Sequence, residues 1–161
     1  MENVKSLANR LNAAGKRLAE GGVHLLYHNH NCEFLRLSDG ESAYHLIQDE
    51  TDPEYVNFEF DSYWCTECGA DPILEMQRLG DRLKLHHIND RGTRQKGASP
   101  TPILKSDAME LGTGTMPLKE LLAIDRQVGV KAVILETHQN WIDKSPIKSM
   151  QISAEFLKEN L

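Results

Sequence analysis

The sequence lacks the marks of several large protein classes. It has no basic run of five or more residues, and 24 Asp and Glu stand against 18 Lys and Arg, for a formal charge of −6. A chain that grips nucleic-acid phosphates or anionic lipid needs the opposite balance, which argues against both as partners. No apolar stretch approaches the roughly 20 residues that span a bilayer, and the first ten residues, MENVKSLANR, have no apolar core of a signal peptide. The expected location is cytoplasmic. Cysteine is scarce and odd in number (Cys32, Cys65 and Cys68), too little for a disulfide framework and in keeping with a reducing compartment. The Cys65 to Cys68 spacing could hold zinc or be redox active, but a zinc ribbon needs a second pair; the plainer reading is two small thiols in a short loop or helical turn. Neither GxGxxG nor GxxxxGK[ST] occurs, so dinucleotide and P-loop sites are not expected.

What is present is globular composition, 161 residues with 40% hydrophobic and 26% charged, long enough for one sizeable core and read as a single domain over 1–161. Val4, Leu7, Ala8, Leu11, Ala14 and Leu18 recur at helical spacing until Gly21 and Gly22. A strand is predicted over 23–27, a helix over 41–49, a strand over 56–61, a helix opened by Asp71 and Pro72 and closed by Gly80, and a strand over 83–88. Residues 90–116 show no period and read as a functional loop. A helix around Leu118 to Val128, a strand over 132–136 and a final helix from Ile147 to Leu161 complete the chain. Strand and helix alternate four times with long crossovers, the pattern of an α/β protein with a parallel sheet covered by helices.

The chemistry gathers at the strand ends: His28 and His30, Asp61, His87, and Glu136 with His138. Side chains alternate along a strand, so Leu26, His28 and His30 share one face, and Asn57, Glu59 and Asp61 oppose Val56, Phe58 and Phe60. A polar face turned away from the helices is the layout of a barrel interior, whose active site lies at the C-terminal strand ends. Each residue also has a plain alternative. A lone His is often only a hydrogen-bonded structural group, and Asp61 reads equally as the N-cap of a Ser62-Tyr63-Trp64 turn. His86 and His87 cannot face the same way, so at least one is packing or solvent facing. Glu136 after the apolar AVIL run is harder to set aside, because a carboxylate there needs a partner or a metal. Carboxylates with imidazoles suit Mn²⁺, Co²⁺, Zn²⁺ or Mg²⁺, and such an ion can polarise a carbonyl or hydroxyl oxygen while flanking carboxylates exchange a proton on carbon.

Five segments taken in order, YHNHNCEF (27–34), EFDSYW (59–64), HINDR (87–91), ELGTG (110–114) and ILE (134–136), resemble the second half of the xylose-isomerase-like TIM barrels. That family includes sugar isomerases and epimerases, inosose dehydratases and hydroxypyruvate isomerases, with endonuclease IV as a distant relative. The resemblance implies a divalent metal held by Glu, Asp, His and Glu at successive strand ends. Asp61, His87 and Glu136 match the last three, and Glu136 would double as the proton-transfer carboxylate. The first position carries His28, so Glu33 is expected to take over as ligand, leaving His28 or His30 as proton shuttle or substrate contact. Trp64 would offer an apolar wall to a sugar or else pack, and Arg94 and Lys96 would meet a phosphate or simply lie in a solvated loop. A nuclease role is disfavoured by the acidic chain and by too few His and Asp ligands for a trinuclear site.

The resemblance therefore points to a sugar or sugar phosphate isomerase or epimerase working through an enediolate. An inosose-type dehydratase acting on a cyclitol, or a non-catalytic half-barrel subunit, are the alternatives. A full (β/α)₈ barrel needs about 200 to 250 residues, and only four strands are expected here. Such a half-barrel leaves two open edges, so either a homodimer or a complementary N-terminal half is expected to close it; a truncated product with little activity is the remaining alternative.

Overall fold

The computed structural model describes residues 1–95, 97–98 and 101–161. The chain opens with helix α1 (Glu2–Glu20), whose Val4, Leu7 and Leu11 pack on the core. The helix stops where Gly22 takes a φ of +73° and the Val23 N–H turns back to Leu18 O, a termination that favours glycine. That turn occupies Val23, so strand β1 (Leu25–His28) begins two residues later than the apolar run suggests.

Helix α2 (Ala43–Glu50) is capped by the Ser42 side chain, which accepts from the His45 N–H, and strand β2 (Val56–Asp61) lies beyond it. Asp61 ends that strand and caps helix α3 (Ser62–Glu67) by accepting from the Trp64 N–H at 2.8 Å. Helix α4 (Pro72–Leu79) has Asp71 as its cap and Pro72 in its first turn, and strand β3 (Leu83–Ile88) comes next. A hairpin of β4 (Asp90–Gly92) and β5 (Asp107–Met109) leads on to helix α5 (Leu118–Val128), strand β6 (Ala132–Leu135) and helix α6 (Pro146–Asn160).

Among the described residues, β1, β2, β3 and β6 form one parallel sheet in that spatial order. Successive strands of this sheet are neighbours in space, as in a barrel wall. Val56, Phe58, Phe60, Leu83 and Ile88 are buried beneath Tyr44, Met76, Leu121 and Leu122 from the helices. Leu26, His28, Asn57, Glu59, Leu85 and His87, on the other face, are only half-buried, Leu85 and His87 parting from Leu83 at a register shift opposite Phe58 and Glu59. Gly15 lets α1 approach the loop before β2, since a Cβ there would lie 2.4 Å from Tyr55 O. The architecture is the α/β arrangement expected from the alternation of strands and helices.

The hairpin is the main departure from the expected loop over 90–116. Its strands are three residues long and pair antiparallel, Asp90 opposite Met109, too short to show a period in the sequence. The Asp90 carboxylate orders the hairpin and the turn after it, accepting N–H bonds from Arg91, Gly112, Gly114 and Met116 at 2.8 to 3.1 Å. No helix among the described residues is long and apolar enough to cross a membrane.

Candidate functional site

Parallel register brings the strand ends together. His28 pairs with Glu59, Asp61 with His87, and His87 with Ile134, which places Glu136 just beyond β6 beside His87. His28, Asp61, His87 and Glu136 each offer one ligand atom, and these four atoms lie within 4.8 Å of one another. Glu136 Oε2 is 2.7 Å from His87 Nδ1, and Asp61 Oδ2 is 3.9 Å from the same nitrogen. The His28 and His87 rings lie 4.5 Å apart.

Burial and neighbouring charge shift the groups of the set in different directions. Burial pushes the Asp61 carboxyl up to about 7, against the opposing pull of the Trp64 N–H and of His87. Burial also works against ionisation of Glu136, but the hydrogen bond and charge of His87, with His138 and His28, outweigh it and hold this carboxyl below its ordinary range. Desolvation and the neighbouring His87 lower the pKa of His28. Its Nδ1 is buried without a hydrogen-bond partner, 3.6 Å from the nearest carboxylate oxygen, on Glu59. Four donor atoms this close together can surround one divalent cation after side-chain adjustment. The donor chemistry and the orphaned imidazole nitrogen both fit such an ion.

Glu33 does not join this set. The 3₁₀ turn Cys32–Phe34 holds its carboxylate on the Tyr27 hydroxyl at 3.1 Å, the His30 N–H at 2.9 Å and the Cys32 thiol at 3.2 Å. Tyr27 projects from β1 opposite to His28 and packs against Phe58, so its partner is drawn away from Asp61 and Glu136. His28, and not Glu33, lies beside Asp61, His87 and Glu136. His30 is exposed at the mouth, its ring 4.9 Å from His28 and 5.7 Å from half-buried Trp64, and His138 closes the row with Nε2 3.0 Å from Glu136 Oε1.

Of the remaining candidates, His86 is the structural one of its pair. It is fully buried between Asp125, 2.7 Å from Nδ1, and the Ser62 hydroxyl, 2.9 Å from Nε2. The three cysteines are unpaired, and Cys65 and Cys68 sit in and just after a helical turn. Arg94 is committed to Glu110 and to the Asn140 carbonyl rather than open to a phosphate, and Lys96 lies outside the described residues.

Two residues of the site were not assigned from the sequence. Buried Asn29 joins β1 to β2 by accepting from the Asp61 N–H at 2.9 Å and donating to the Asp61 carbonyl at 3.1 Å. Glu59 faces His87 Nε2 at 3.1 Å. The parity of β2 put Glu59 on the face of Asp61, which was the available signal; Asn29 carried none beyond its place between two histidines.

The fold, with its polar strand ends, is that of a parallel α/β barrel segment. The chain belongs to the xylose isomerase-like TIM barrel family, whose pattern matches residues 2–160. Inosose dehydratase 2 of Bacillus cereus (strain ZK / E33L) is 24% identical over 98% of this chain and 55% of its own length. A sugar phosphate isomerase/epimerase structure from Parabacteroides distasonis ATCC 8503 superposes with a TM-score of 0.79 at 26% identity, over 98% of this chain and 54% of that one. A structure of L-ribulose 3-epimerase shares the fold, with a TM-score of 0.69 at 14% identity over 98% of this chain and 54% of that chain. The chain thus spans about half the length of the relatives it matches.

Proposed function

We propose that this chain is the C-terminal half of a divalent-metal-dependent sugar or sugar phosphate isomerase or epimerase. The observation that carries the reading is the convergence of His28, Asp61, His87 and Glu136, one from each parallel strand end, on a common point. Mn²⁺, Co²⁺, Zn²⁺ and Mg²⁺ all suit the donors. When bound, the ion would supply positive charge to the carbonyl and hydroxyl oxygens of a sugar and to the enediolate that forms on proton loss. Glu136 would move that proton; one of its oxygens lies on His87 and the other on His138 at the mouth, which supports the role. His28 and Asp61 fix the base of the site, and His30 and Trp64 border the space where a sugar would lie. A second set of four strands, from another copy of the chain or from an N-terminal half, would cover the half-exposed inner face. A cytoplasmic setting accords with the unpaired cysteines.

A second reading has a specific support: the curated relative matching nearly the whole chain is an inosose dehydratase. In that reaction Glu136 would take the proton on carbon and water would leave from the neighbouring carbon. The test is incubation in D₂O with Mn²⁺ and panels of ketoses, ketose phosphates and inososes, with products read by NMR. Deuterium at the carbon beside the carbonyl with a rearranged sugar supports the isomerase reading, and an unsaturated or diketo product from an inosose supports the dehydratase. Absence of exchange in every substrate, with the barrel completed, would sink both.

A further inference from the structure

Glu59 is a half-buried carboxylate on the inner face of β2, two residues before Asp61, and its position in the site calls for a role. Among the described residues no Lys or Arg pairs with it; its nearest side-chain nitrogens are those of two imidazoles. Oε1 lies 3.1 Å from His87 Nε2 and Oε2 lies 3.6 Å from His28 Nδ1. The other ring nitrogen of His87 looks the opposite way, with Nδ1 hydrogen-bonded to Glu136 Oε2 at 2.7 Å and 3.9 Å from Asp61 Oδ2. One nitrogen of His87 therefore faces the proposed ligand set and the other faces Glu59.

We propose that Glu59 is the positioning residue of this site, taking the Nε2–H of His87 when a divalent cation replaces the Nδ1 contact with Glu136, and so making Nδ1 the nitrogen that ligates the cation. A neutral imidazole has one N–H and one lone pair, and an acceptor held against Nε2 keeps the proton there and turns the lone pair of Nδ1 inward. A carboxylate in this place also fixes the plane of the ring. The backbone supplies the aim: Glu59 and Asp61 share a strand face, and Asp61 is in register with His87, so two carboxylates of one strand bracket the ring from either side. The role rests on the metal reading of the site proposed above.

The test uses the full chain, titrated with Zn²⁺ and Mn²⁺ as wild type, Glu59→Leu and Glu59→Gln, with ¹⁵N NMR of the histidine rings in the zinc-loaded protein. Glu59→Leu is expected to weaken both ions by about 10- to 100-fold, and Glu59→Gln, which keeps an acceptor oxygen, to recover most of the loss. In the wild type the His87 ring should carry its proton on Nε2 and the metal on Nδ1. Unchanged ion affinity in Glu59→Leu, or a His87 protonated on Nδ1 in the loaded chain, overturns the role of Glu59 alone. A wild-type chain that takes up neither ion overturns the metal reading and this role with it. Should Glu59→Leu fail to fold, the Gln variant and the ring protonation pattern of the wild type decide.

Discussion

Asn29 and Asp61 are joined by two hydrogen bonds between the Asn29 carboxamide and the Asp61 backbone, at 2.9 and 3.1 Å, at a point where both residues are buried. The amide therefore ties the end of β1 to the end of β2 beyond their last ladder pair, and the Asp61 side chain is left free to cap α3 and face the other carboxylates. Asn29→Ala strands a buried N–H and a buried carbonyl, each costing about 1 to 3 kcal/mol. A loss of roughly 2 to 4 kcal/mol in denaturant unfolding is the expected outcome; a loss under about half a kcal/mol would show that water or a relaxed backbone replaces the amide.

His86 and Asp125 form a second buried link, at 2.7 Å, between β3 and α5, with the Ser62 hydroxyl on the other ring nitrogen. Removing one member leaves the other without its partner in the core. Asp125→Ala should destabilise the fold by about 1 to 3 kcal/mol, read by chemical denaturation, and a double variant His86→Leu with Asp125→Leu should recover part of that loss.

Gly114 packs against the Asp90 carboxylate and the Arg91 carbonyl so closely that a Cβ would stand 2.4 and 2.5 Å from their oxygens. Neither neighbour is a flexible chain end, since the carboxylate holds four N–H groups and the carbonyl is backbone. Gly114→Ala should cost about 1 to 3 kcal/mol through overpacking and should loosen the hairpin loop, seen as faster amide exchange over residues 111–116.

Glu110 gives a pH dependence with a definite sign. Burial opposes its ionisation, but bonds from the Ser149 hydroxyl and the Ile142 N–H, with the Arg94 charge, hold its pKa below the ordinary carboxyl value. A carboxyl with a depressed folded pKa contributes stability that is full above its unfolded value and is lost as pH falls through the folded one. Acid unfolding of the wild type below about pH 4.5 should therefore carry a Glu110 contribution that is missing in Glu110→Gln. Equal stability slopes for the two proteins from about pH 5 to 3 would contradict it.

The fold was legible because apolar residues in this chain keep two clear periods, as in Val56, Phe58 and Phe60 against Leu118, Leu121 and Leu122. Caps such as Asp71 with Pro72 set the boundaries. The hairpin was hidden because three-residue strands held by one carboxylate leave no period. In the site, the strand-end placement of Asp61, His87 and Glu136 came from spacing alone. Glu33 did not, since its direction depends on a 3₁₀ turn and on three local donors, which carry no periodic trace. Asn29 and Glu59 escaped for a related reason: their roles are defined by what lies across the strand pairing, which spacing along one strand does not reveal.

The metal reading turns on a divalent ion held by the four strand-end residues, with His28 rather than Glu33 as the first ligand. Calorimetric titration of Mn²⁺ into the wild type, His28→Ala and Glu33→Ala separates the two assignments. One ion per chain is expected in the wild type, with near-normal binding in Glu33→Ala and strongly weakened binding in His28→Ala. No uptake by the wild type, or binding lost in Glu33→Ala and kept in His28→Ala, would contradict it.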